Sequence, residues 1–89
     1  MHKVQGFVSG RVQGVGFRYF VMCHAEAAAV SGYVRNLPDG RVEFLLQGEP
    51  EAVEDVLSQI HQGPNYARVD AVELADSTST DVVENFLIR

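Results

Sequence analysis

The amino-acid sequence predicts an α+β sandwich, two helices packed on one face of an antiparallel sheet. Three observations carry this. Apolar spacing switches between the strand and helix periods in the order βαββαβ, with a further short strand at the end. Glycine and proline mark the switches, as in Pro38-Asp39-Gly40 and Gly63-Pro64. With only 89 residues, the chain should bury roughly 64% of its unfolded surface, enough for one core and not for two. One domain over 1–89 is expected, of the split-βαβ, ferredoxin-like kind.

Residues 3–9 form the expected first strand, bounded by Gly10. Residues 10–16, Gly-Arg-Val-Gln-Gly-Val-Gly, read as a loop with unusual dihedrals or a close backbone approach. Residues 17–30 read as a helix with Phe17, Phe20, Val21, Ala25 and Ala28 at helical spacing, and with Gly32 as its stop. Residues 33–37 and 41–47 then make a hairpin through Pro38-Asp39-Gly40. Its second arm alternates Val42, Phe44 and Leu46 with Glu43, Leu45 and Gln47, the pattern of a half-buried strand.

A second helix starts at Pro50, with Glu49, Glu51, Glu54 and Asp55 near its positive end. Val53, Val56, Leu57 and Ile60 make its apolar stripe, and Gly63-Pro64 stops it. Arg68–Leu74 reads as a strand, Ser77–Thr80 as a polar loop and Asn85–Arg89 as the last strand. A right-handed crossover makes the first two strands parallel with the third between them. Their C-terminal ends then share one sheet edge, roughly 10 Å apart at two strand spacings. The glycine loop leaves one end, Asn36 sits near the other, and an arginine at the loop's end could bridge the gap.

Composition narrows the function. Hydrophobic residues make up 46% and charged residues 21%, which excludes a disordered chain. No apolar run is long enough for a transmembrane helix, so no membrane partner is expected. The first residues lack the apolar stretch of a secretory signal, and Cys23 is the single cysteine. A reducing cytoplasm is therefore the expected compartment. The net charge of −5 argues against nucleic-acid binding, yet it divides into +3 over residues 1–41 and −8 over 42–89. An anion site should lie in the first half.

Strand, glycine loop and helix N-terminus together make an anion trap, because backbone N–H groups turn inward and the helix dipole adds positive potential. Arg18 at the junction adds a bidentate fork suited to phosphate. Spacing alone leaves this and an ordinary tight turn both open. The P-loop pattern is absent, and a dinucleotide fingerprint fails because its third glycine would fall at Tyr19. A cysteine-phosphatase loop would need arginine where Ala29 follows Cys23, and no carboxylate–histidine cluster has metal-ligand spacing.

Gly10-Arg11-Val12-Gln13-Gly14-Val15-Gly16-Phe17-Arg18, followed by Gly32-Tyr33-Val34-Arg35-Asn36-Leu37-Pro38-Asp39-Gly40-Arg41-Val42-Glu43, resembles the acylphosphatase family. Gly63-Pro64, Ala67–Glu73 and the closing Phe86–Arg89 also match, so the resemblance spans essentially the whole chain. It implies a cofactor-free hydrolase of the carboxyl–phosphate bond of small acyl phosphates. No metal is expected, inorganic phosphate is expected as product and inhibitor, and the protein is expected to be a monomer. It implies that Arg18 binds the substrate phosphate and Asn36 positions the attacking water. The loop backbone over Gln13, Gly14, Val15, Gly16 and Phe17 would complete the cradle.

Neutral asparagine cannot serve as a strong base, but it can hold a water. That suffices where the leaving group departs unaided, as a carboxylate of conjugate-acid pKa ~4 does. The competing reading is a noncatalytic anion-binding or regulatory module on the same fold. Such a module needs the cradle and Arg18 but has no use for Asn36.

Among the remaining side chains, Cys23 is expected to be a small buried hydrophobe, with a reactive surface thiol as the alternative. His24 is expected to be a packing or surface residue and not a catalyst, Tyr19 and Tyr33 are expected to pack, and His2 and His61 should face solvent. Arg11, Arg35 and Arg41 either raise the potential around the site or solvate strand edges.

Overall fold

The computed structural model describes residues 2–75 and 84–89; the polar loop expected at Ser77–Thr80 lies outside them. The elements follow the expected order: β1 (His2–Arg11), α1 (Phe17–Ala27), β2 (Ser31–Asn36), β3 (Val42–Gly48), α2 (Pro50–Gln62), β4 (Arg68–Ala75) and β5 (Phe86–Ile88). The sheet order is β4-β1-β3-β2-β5. β3 runs antiparallel to both β1 and β2, so those two strands are parallel and end on the same side. β4 pairs antiparallel with β1, and the register shifts between Ser9 and Gly10. β5 lies parallel to β2, with Gly32 opposite Phe86 and Val34 opposite Ile88. The four long strands are thus antiparallel neighbours, and the short last strand adds a parallel edge. Three residues carry no directional signal of their own. With β4 covering β1, the free ladder edge is that of β2.

Both helices share one core with the sheet. α1 buries Phe17, Val21 and Ala25 and lies over β2 and β5. α2 buries Val53, Val56, Leu57 and Ile60 and lies over β1, β3 and β4. Val8, Val34, Val42, Phe44 and Leu46 meet them from the sheet. β3 is not half-buried as its alternation suggests: Glu43 and Leu45 are buried too. On the face away from the helices, Leu45 lies in register between Gln5 and Tyr33. Arginines cover this face. Arg35 Nε donates to Glu43 at 2.6 Å, and the Arg89 and Arg41 guanidinium groups sit 4.4 and 4.6 Å over the Tyr33 and Phe7 rings.

α2 begins and ends as expected, with Pro50 in its first turn and Gly63 at its C-cap. α1 stops earlier than expected, at Ala27. Val30 N–H donates to Ala25 O and Ala29 N–H to Glu26 O, the paired bonds of a Schellman turn, with Ala29 at φ 57 in the left-handed position. Gly32 lies inside β2 instead. A Cβ there would collide with the Leu45 carbonyl oxygen, so close strand approach, not helix termination, requires this glycine.

Candidate active site

Residues 12–16 carry the chain from the end of β1 into α1. Gly14 and Gly16 have φ of 74° and 78°, and Gly16 is the N-cap of α1 with no side chain to cap the first turn. The first helical bond runs from Phe20 N–H to Gly16 O at 3.0 Å. A Cβ added at Gly14 or Gly16 would meet nothing within 4 Å. Left-handed backbone, not crowding, therefore calls for glycine at both positions, and the space above them is open. The first turn of α1 also lacks any acidic residue, so nothing in the turn itself offsets the positive end of the helix dipole.

A cleft of about 200 Å³ opens at this junction. Gly14, Gly16, Phe17 and Arg18 line it from the loop and helix, and Asn36 lines it from the last position of β2. The structure therefore brings Arg18 and Asn36 to one cleft. Sheet order is the cause: the parallel β1 and β2 end side by side with only β3 between them.

Arg18 is exposed and makes no ion pair among the described residues. Arg35, Arg41 and Arg68, by contrast, are each held by a carboxylate, Glu43, Asp39 and Asp70 respectively. Arg35 and Arg41 thus belong to the sheet and the turn, while Arg11 is exposed and does not line the cleft. Asn36 Oδ1 is buried and accepts no hydrogen bond from the protein. A buried, unpartnered carbonyl costs roughly 1–3 kcal/mol, so stability does not explain an amide at this position.

Of the expected cradle residues, Gln13 and Val15 do not line the cleft. Val15 packs against the core. Gln13 Nε2 donates to two backbone carbonyls of the β2–β3 turn, Leu37 O at 2.8 Å and Arg41 O at 2.9 Å.

Three further residues complete the cleft wall, Val12, Tyr19 and Ile88. Tyr19 is 64% exposed, not packed as expected. Its phenol is hydrogen-bonded with Cys23 one turn on, which pushes the hydroxyl pKa up. Adjacency to Arg18 is the one sequence signal that could have found Tyr19. Ile88 has no such signal, because it arrives through the β2–β5 pairing.

Cys23 is exposed, contrary to expectation. The buried stripe of α1 runs Phe17, Val21, Ala25, and a residue two positions past Val21 points to the opposite side. His24 packs its ring 4.6 Å from that of Phe20 beside an open groove between the helices, while Tyr33 is buried and His2 and His61 are exposed, all as expected.

Comparison with known proteins agrees over the whole of this architecture. Residues 4–88 match the acylphosphatase family. The chain is 46% identical over 87 residues to an acylphosphatase of Rubrobacter xylanophilus, covering 98% of this chain and 79% of that protein. It is 44% identical over 88 residues to an acylphosphatase of Roseiflexus, covering 99% and 95%. Among solved structures, the acylphosphatase from Bacillus subtilis superposes with a TM-score of 0.92 at 36% identity, covering 100% of this chain and 99% of that one. On sequence and fold alike, this chain belongs to the acylphosphatase family.

Proposed function

We propose that the protein hydrolyses the carboxyl–phosphate bond of small acyl phosphates, releasing a carboxylate and inorganic phosphate. The observation that carries this is the convergence of Arg18, Asn36 and an uncapped, glycine-rich helix N-terminus on one cleft.

The loop and first-turn amides, with the Arg18 guanidinium, hold the phosphoryl oxygens and neutralise the charge on them. Asn36 holds a water in line with the phosphorus–acyl oxygen bond. The water oxygen forms the new bond to phosphorus while the acyl oxygen leaves with its electron pair. The carboxylate needs no proton at neutral pH, and the water's proton passes to a phosphate oxygen. An alkoxide leaving group would need a general acid, which restricts the substrate to activated phosphates.

The same reading makes residues 1–89 one domain, supported by the single core that all elements share. It makes the protein cytoplasmic, a compartment with which a single cysteine agrees, and a monomer. It also takes no nucleic-acid or membrane partner. The negative net charge supports the first, and no helix among the described residues is long and apolar enough to cross a membrane.

The test is hydrolysis of a synthetic acyl phosphate in the presence of a metal chelator. Turnover that survives chelation is expected, whereas strict metal dependence overturns the scheme. Arg18→Gln should nearly abolish turnover and weaken inhibition by inorganic phosphate roughly 10–100-fold, the worth of one charge-assisted contact. A protein that binds phosphate but turns nothing over is instead an anion-binding module.

A further inference from the structure

We propose that Gln13 is a positioning residue, whose side-chain amide sets the spacing between the phosphate-holding loop and Asn36. This rests on the reading of Asn36 as the residue that aims the water. Gln13 lies between Val12 and Gly14, both in the cleft wall. Its Nε2 donates to Leu37 O and Arg41 O, 24 and 28 positions along the chain. Leu37 directly follows Asn36, and Leu37 N–H itself donates to Arg41 O at 2.8 Å. Both hydrogens of one amide thus grip the closed mouth of the turn on which Asn36 sits.

The backbone offers no equivalent tie. The β1–β3 ladder ends at Val8 opposite Val42, and Ser9, Gly10 and Arg11 pair only with β4, with a register shift between Ser9 and Gly10. At Gly10 and Arg11 the chain is therefore no longer laddered to β3, just before the loop that must face Asn36. Gln13 reaches back across that gap. Attack on phosphorus demands that water, phosphorus and leaving oxygen be nearly collinear, so a small change of spacing falls on turnover. Phosphate binding, made by loop amides and Arg18 on one side of the gap, is spared.

The experiment is a double-mutant cycle of Gln13→Met with Asn36→Ala, reading turnover and inhibition by inorganic phosphate, with circular dichroism to verify folding. Gln13→Met keeps much of the side-chain length and removes both donors. We expect it to lower kcat by about tenfold or more, since misplacement near 1 Å is that costly, and to leave phosphate inhibition within about twofold. In the Asn36→Ala background the same change should cost no more than about twofold, the ordinary scatter of additivity.

Equal losses in both backgrounds, an unchanged kcat, or loss of phosphate inhibition in step with kcat each overturn the proposal while leaving Asn36 in its role. Full turnover in Asn36→Ala alone overturns that role and this proposal with it. Gln13→Glu, which also lacks the two donors, replaces the methionine variant if the latter does not fold. Failure of both to fold makes Gln13 a folding residue and overturns the proposal.

Discussion

Asn36 demands a functional explanation, because its buried Oδ1 accepts no hydrogen bond from the protein and the residue lines the same cleft as Arg18. Replacing it with alanine should remove the preorganised water and cut turnover by roughly 10²-fold, as loss of one aimed donor does elsewhere. Inhibition by phosphate should change little; turnover at the wild-type level would remove Asn36 from the chemistry.

A second residue-scale effect concerns Asp39. The Arg41 backbone N–H, bonded to its carboxylate at 3.0 Å, and then the Arg41 guanidinium hold its pKa below the ordinary value. A depressed folded pKa means the contribution is present above the unfolded pKa and is lost as pH falls through the folded one. Asp39 is exposed, so solvent screening keeps the effect small. Denaturation of Asp39→Asn beside the wild type should show a gap at neutral pH that closes in strong acid. A gap constant with pH would show that the carboxylate's charge is not the cause.

Among the elements, α1 shows how local chemistry is divided between its two ends. Its N-terminus is left uncapped by any side chain and faces the cleft, while its C-terminus is closed by a Schellman turn on an alanine in left-handed backbone. Ala29→Gly should relieve that conformation and stabilise the protein by about 0.5–1 kcal/mol, after glycine's greater unfolded-state freedom is subtracted. For a chain of this size the melting temperature should rise by about 2–8 °C. An unchanged or lower value would show that the alanine is not strained.

At the scale of the whole molecule, one core holds both helices against the sheet, and Phe44 lies fully buried in it, its ring against Gly6. Phe44→Ala should cost about 3–5 kcal/mol. The total for a domain of this length is about 4–13 kcal/mol at the usual per-residue stability. Urea unfolding should therefore show a greatly lowered midpoint, with the cleft lost together with the fold. Independent survival of the phosphate site would contradict a single cooperative core.

Consecutive residues were enough to reveal the glycine loop, the two helices, the hairpin turn and the chemical types at Arg18 and Asn36. Each depends on backbone dihedrals or on periodicity within a few positions. The early stop of α1 is local too, but it uses Ala29 in a conformation that composition assigns to glycine. Long-range pairing, by contrast, decided the parallel edge made by β5, the cleft wall supplied by Ile88, the cover over Leu45 and the destination of the Gln13 amide. Most of these join residues far apart in the chain, brought together because the sheet places β3 between β1 and β2 and β5 beside β2, and no short window of sequence encodes which strands will be neighbours.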